Sequence, residues 1–439
     1  MSHFRLARIS LILAAIGLNA TPALLSSAHA QAKPDPAAEA AAAAKAKENY
    51  VRPEMFKLID SAKNSELMAQ KNFAQVKANL AAAELIPNRT PFENYIIEHT
   101  RYVVAVRTED DATARKSAEA LLATGRLDKK ASSELVLNLG TYQFKAKEYA
   151  AAAATFKRYQ AESDTPAKAT DLLARSHFFN KDYAAANALI VPMVAEAEAA
   201  GKAPDQVQLR LMTEGERLLK NTPAFLAGLE KLVTYYPSTE TWAQLLSRLH
   251  NKPGLDDRLR LDIFRLEMNV QDEMQAVEYI EMAELALMKG FPSEAKKAMD
   301  AGYANSVLVK DEGAAKHKLV RDRVNKAAAE EVKTIASQDA SVLKAKDGLP
   351  VEKLGYAYVT MDQFDKGIEL MEKGLAKGGF KKVDDSKLRL GVAYAKAGRK
   401  ADAIKVFEGL KGNDGMTELA RYWIIYLNGA KGAAPAAGK

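Results

Sequence analysis

The sequence predicts an all-α fold, a solenoid of antiparallel helix pairs. Three observations carry that prediction. Apolar residues recur at three- and four-residue spacing through nearly the whole chain, as in "FAQVKANLAAAEL" from Phe73 and "IELMEKGL" from Ile368, and alternating strand patterns are missing. Short Gly, Asp, Asn or Pro clusters interrupt the pattern, which reads as helix, tight turn, helix. Segments of the chain also repeat one another at a fixed offset.

The first thirty residues stand apart from that pattern. "MSHFRLAR" supplies two arginines, "ISLILAAIGL" is apolar, and Ala28-His29-Ala30 offers a small-residue cleavage site. Residues 1–30 therefore read as a secretory signal peptide cut after Ala30. The alternative, an uncleaved membrane anchor, meets an apolar run that is short and interrupted by Asn19 and Pro22. Residues 31–49 are an Ala/Pro-rich linker, and 430–439 form a similar solvated tail expected to be disordered. No later segment is apolar enough to span a membrane once the signal is gone.

Composition narrows the function classes. The chain of 439 residues is 48% hydrophobic and 27% charged, enough for an extended folded array rather than a disordered one. It has no Cys, which removes disulfides, thiolate zinc sites and cysteine nucleophiles. The formal charge of +7 falls by two with Arg5 and Arg8 of the signal. Basic stretches are interleaved with acids, so a nucleic-acid function is not expected. Export makes the periplasm the expected compartment.

The repeats begin in the N-terminal region, 50–192. "LGTYQFKAKEYAAAAATFKRY" from Leu139 aligns with "LARSHFFNKDYAAANALIVPM" from Leu173, placing Tyr149 on Tyr183 at an offset of 34 residues. In the C-terminal region, 346–429, "LGYAYVTMDQFDKGIELMEKG" from Leu354 precedes "LGVAYAKAGRKADAIKVFEGL" from Leu390 at an offset of 36. Between them, 193–345 holds only degenerate copies and a highly charged stretch from Lys310. That stretch reads as one long, mostly exposed helix anchored by Leu319, Val324, Val332 and Ile335. "MTELARYWIIYLN" from Met416 reads as a lone capping helix, with Leu419 and Trp423 turned inward.

These segments resemble the tetratricopeptide repeat (TPR) family. Leu354-Gly355-x-x-Tyr358 and Leu390-Gly391-x-x-Tyr394 match its first helix, and Ala403 and Phe407 its second. The upstream pair departs from it, with Gln143 and His177 where Tyr is expected. The resemblance implies a TPR-like α-solenoid in which Gly391 meets Ala403 across the pair. It also implies a concave surface lined by first helices. In this register that surface comprises Thr141, Phe144, Lys145, Arg175, Phe178 and Phe179, then Tyr356, Val359, Val392, Ala395 and Lys396. A protein or peptide partner is implied. The Lys/Asn clamp for a terminal carboxylate is not matched, since Thr141 and Arg175 stand where Asn would be.

Motifs for chemistry are sparse. His99, His177, His250 and His317 are far apart in sequence, with no H-E-x-x-H or G-x-S-x-G, so no catalytic residue, cofactor or metal is expected. Ser293-Glu294-Ala295-Lys296 matches S-x-x-K in isolation. The acidic groups at Glu109-Asp110-Asp111, Asp256-Asp257 and Asp384-Asp385 read as helix caps. The expected function is a non-enzymatic scaffold or adaptor in the bacterial cell envelope. Its general look is similar to envelope repeat proteins of proteobacteria, some of which accompany TonB-type or outer-membrane machinery. Two alternatives stand beside it: a peptidoglycan or glycan binder using the aromatics of "VTYYPSTETW", and a small-ligand binder or enzyme with a pocket between Pro192 and Pro350. The partner's identity and the oligomeric state are left open.

Overall fold

A computed structural model describes residues 48–429, so the signal peptide, most of the linker and the C-terminal tail lie outside the described residues. Among the described residues the regular structure is helical. The chain divides into two compact units, one ending at Pro192 and the other starting at Met193.

Unit 1 runs through α1 (Pro53–Ile59), α2 (Ser61–Ala69), α3 (Phe73–Glu84), α4 (Pro91–Arg107), α5 (Asp111–Ala123), α6 (Lys129–Lys145), α7 (Tyr149–Glu162), α8 (Thr170–Phe179) and the start of α9 (Tyr183–Ala199). Unit 2 continues with α10 (Gln206–Leu218), α11 (Thr222–Tyr235), α12 (Thr239–His250), α13 (Arg260–Val270), α14 (Ala276–Lys289) and α15 (Pro292–Ala304). It ends with α16 (Val307–Lys310), α17 (Ala314–Leu343), α18 (Gly348–Thr360), α19 (Phe364–Lys377), α20 (Val383–Lys396), α21 (Lys400–Glu408) and α22 (Met416–Asn428). No helix among the described residues is long and apolar enough to cross a membrane.

One turn geometry recurs between paired helices. Lys71, Glu109, Lys147, Lys181, Lys220, Gly290, Asp362 and Gly398 all adopt positive φ. In each case the next amide donates to the carbonyl five residues back, as Glu148 does to Gln143, Asp182 to His177 and Arg399 to Tyr394. This is the left-handed closure that satisfies the last carbonyls of the first helix. Asn72, Asp110, Asp182 and Asn221 then cap the second helix. Lys220 and Gly290 fall in the stretch whose sequence repeats are weak, so the repeat persists there in backbone geometry.

Small residues set how closely each pair crosses. A Cβ on Gly140 would sit 2.6 Å from the Phe156 ring, and one on Gly391 would sit 2.5 Å from the Phe407 ring. The space that Gly391 opens is thus filled by Phe407 and not by Ala403, because a ring fills a backbone notch that a methyl leaves half empty. In α18 and α19 the approach is closer still. Cβ atoms on Gly355 and Gly348 would meet backbone, the Gly367 and Gly374 carbonyl oxygens, at 2.5 and 1.8 Å.

Unit 1 is tied at its N-terminal side by Arg52, whose guanidinium donates to both Glu93 carboxylate oxygens at 3.0 and 2.8 Å. Glu93 also closes the capping box of α4 with Thr90. The Arg52 hydrogen bonds hold its carboxyl at about 2, against burial, with the Thr90 amide helping. A lowered carboxyl pKa stabilises the fold above the ordinary value of 4.5 and ceases to do so as pH falls towards 2. The gap in melting temperature between wild type and Glu93→Gln should therefore narrow as pH falls through that window. A constant gap would contradict the pairing.

Two sequence expectations for unit 2 are corrected. In α17, Val324, Ala328 and Ile335 are buried, whereas Leu319 and Val332 are 71% and 61% exposed. At about 100° per residue, Ile335 lies about 20° from Val324, but Leu319 and Val332 lie about 140° and 80° away. The terminal helix α22 buries Leu419 and Trp423 as expected, yet it also packs on α11 and α13. Arg421 grips Glu230 at 2.9 and 2.6 Å, Lys252 pairs with Glu418, and the Asp256 amide donates to the Asp414 carbonyl at 3.1 Å. Arg258 gathers Asp385 at 2.8 Å and Asp414 at 2.7 Å, along with Asp256. Asp256 and Asp385 are therefore ion partners as well as helix-start residues, and unit 2 closes on itself.

Candidate functional site

That closure decides the fate of the expected groove in unit 2. Tyr356, Val359 and Val392 were placed on an open concave face by repeat register, and all three are fully buried. What covers Tyr356 comes from the chain itself. Arg265 of α13 lies over the Tyr356 ring at 4.6 Å and donates to Glu294 of α15 at 2.9 and 2.6 Å. Tyr356 donates to the same carboxylate at 3.0 Å, and Asp262 pairs with Arg265. Of the other two expected residues, Ala395 is half-buried, and Lys396 keeps 26% of its side chain exposed and stands 3.9 Å from Glu294. Beside this cluster Arg389 grips the buried Glu352 at 2.9 Å twice.

Burial shapes the ionisation of every member. It opposes the Arg265 charge, but Glu294, Tyr356 and Asp262 outweigh it, so the guanidinium stays protonated. It also opposes the Glu294 charge, which Arg265 and Lys396 restore, leaving the carboxyl at about 2. Burial dominates elsewhere, raising Asp262 and Tyr356 and lowering Lys396. These polar groups converge, and they converge on one another.

Unit 1 presents the opposite case. Its first-helix residues come together around two turns of like sequence, Phe144-Lys145-Ala146-Lys147-Glu148-Tyr149 and Phe178-Phe179-Asn180-Lys181-Asp182-Tyr183. In the first, Phe144 meets Tyr149 edge-on at 5.4 Å and 66°; in the second, Phe178 meets Tyr183 at 5.3 Å and 65°. Phe179 joins the two, 5.8 Å from Phe144, 5.3 Å from Tyr149 and 5.6 Å from Phe178. The result is a run of five rings across two repeats. Phe144, Tyr149, Phe178 and Tyr183 are half-buried, and Phe179 is 46% exposed.

The other expected residues flank this run. Thr141 is half-buried, and its hydroxyl bonds back to Leu137. Lys145 pairs with Asp111 at 2.9 Å, and Arg175 with Asp171 at 2.6 Å. A groove of about 680 Å³ opens beside them between α5 and α6, lined by Asp111, Arg115, Lys116, Glu119, Tyr142 and Lys145. Tyr149, Tyr183, Lys147 and Lys181 were not among the expected site residues. The signal for them was the doubled pattern F-x-x-K, acid, Y at the same 34-residue offset.

The aromatics of "VTYYPSTETW" offer no comparable surface. Trp242 is buried, and the Tyr235 and Tyr236 hydroxyls donate to Glu198 and to the Pro204 carbonyl.

No protein-family model matches the chain, and no curated protein matches it. Among solved structures, the crystal structure of the P58(IPK) TPR domain is similar over 84% of this chain and 98% of its own, at 15% identity and a TM-score of 0.22. On its own residues and turns, this chain is an all-α protein of consecutive antiparallel helix pairs, TPR-like in architecture.

Proposed function

We propose that the chain is a non-enzymatic repeat scaffold that docks a protein segment on the aromatic turns of unit 1. The observation that carries this reading is the run of five rings shared by two adjacent repeats and left partly open to solvent. Exposed aromatic clusters beside charged residues are a common form of protein-docking surface. In the middle region the polar groups that would serve a ligand or a reaction are engaged with one another, as Arg265 is with Glu294 and Asp262. That arrangement favours a structural role for unit 2.

The place of work is the bacterial cell envelope, reached by cleavage after Ala30. The support is the basic, then apolar, then small-residue order of the first thirty residues. Resemblance to envelope repeat proteins makes transport or outer-membrane machinery of the TonB type the first place to seek the partner.

Photo-cross-linking in the producing cell tests the docking surface. Benzoylphenylalanine at position 179 should give a discrete adduct that Phe144→Ser weakens. A protein that forms no adduct there while remaining folded and exported would contradict the proposal.

A further inference from the structure

We infer that α9 is a hinge, bending at Pro192 so that unit 1 and unit 2 turn as separate bodies. The helix belongs to both units, since unit 1 ends at Pro192 and α9 runs on to Ala199. Each half is fastened to its own unit. In the first half, Tyr183 meets Phe178 edge-on, Asp182 accepts from the Ala185 amide at 3.2 Å, and Leu189 packs against the core around Val136, Phe156 and Tyr159. In the second half, Glu198 accepts from Lys231 at 2.6 Å and from the Tyr235 hydroxyl at 3.3 Å, both on α11.

Pro192 lies inside α9, between these two anchorages. It has no amide proton, so the Ala188 carbonyl finds no donor one turn on, and the proline ring crowds that carbonyl. Sharp bends in helices are found at such positions. Burial does not call for a proline here: Ala188, Val191 and Pro192 are all exposed, Val191 by 47%. Water on that face can hydrate the freed carbonyl, so a change of bend costs no backbone hydrogen bond at Ala188. The Tyr183 ring lies on the unit 1 side, so the aromatic run travels with unit 1 in one piece. The hinge would thereby swing whatever docks there relative to unit 2.

The chain has no Cys, so spin labels attach only where cysteines are introduced. Lys57 and Lys130 of unit 1 and Lys333 and Lys405 of unit 2 are exposed positions for them. Double electron–electron resonance on the full chain with Lys130→Cys and Lys333→Cys reports across Pro192. Its distance distribution should be about twofold broader than those of two controls, Lys57→Cys with Lys130→Cys and Lys333→Cys with Lys405→Cys. Adding Pro192→Ala restores a donor for the Ala188 carbonyl and should narrow the first distribution to the width of the controls. Circular dichroism checks that each variant keeps its helices. A distribution across Pro192 as narrow as the controls would overturn the hinge. A broad one that Pro192→Ala leaves unchanged would also overturn it, because the motion would then arise elsewhere.

Discussion

Gly355→Ala is expected to destabilise unit 2 by about 3 kcal/mol, a large effect for one methyl group. The added Cβ would sit 2.5 Å from the Gly367 carbonyl oxygen and 2.7 Å from the Met371 amide nitrogen. Both are backbone atoms, so no rotamer change relieves the clash. α18 and α19 must separate, and Val351, Leu354, Ile368 and Met371, all buried, lose packing with them. Gly409→Ala is the control, since its Cβ would come no nearer than 3.4 Å to the backbone. The readout is specific, because both tryptophans of the chain, Trp242 and Trp423, are in unit 2 and buried. Urea unfolding followed by tryptophan fluorescence should show the midpoint drop for position 355 and little change for 409. Equal midpoints would mean that the helices cross elsewhere.

The second large effect is expected at Arg265. Its replacement by Met would leave Asp262 and Glu294 buried beside each other, with Lys396, 3.9 Å from Glu294, as the ion partner that remains. Breaking a buried pair in this way costs about 3–5 kcal/mol. Neutralising the cluster together, with Asp262→Asn, Arg265→Met and Glu294→Gln, should cost less than the single change, because no buried carboxylate is then left without its guanidinium partner. The same fluorescence measurement compares them. A single-variant loss below about 1 kcal/mol would match a solvated pair instead.

How legible this was from sequence depends on what encodes each feature. The helix pairs around Leu139, Leu173, Leu354 and Leu390 are written in local residue spacing, and the structure has them. The repeats at Lys220 and Gly290 are held by a backbone turn that many side chains tolerate, so little of their pattern reached the sequence. The open groove failed in unit 2 for a different reason. Its closure depends on partners far apart in the chain, Arg258 with Asp385 and Asp414, and Arg421 with Glu230. No local periodicity records such pairs, so register alone put Tyr356 on a surface that Arg265 of α13 and Glu294 of α15 cover. In unit 1 the same register pointed to Phe144, Phe178 and Phe179, which share one run of rings, half-buried at Phe144 and Phe178 and exposed at Phe179. It missed Tyr149 and Tyr183 because they open second helices, where the repeat pattern leads one to expect packing.

The central claim is a division of labour: unit 1 keeps an open docking surface, and the inner face of unit 2 is filled by its own chain. The most direct measurement extends the in-cell photo-cross-linking to both units. Benzoylphenylalanine at positions 147, 179 and 181 should give the same partner adduct, while positions 319 and 332 on α17 and position 396 beside the buried cluster should give none. An adduct from position 396 that positions 147, 179 and 181 fail to give would place the binding face in unit 2 and contradict the account.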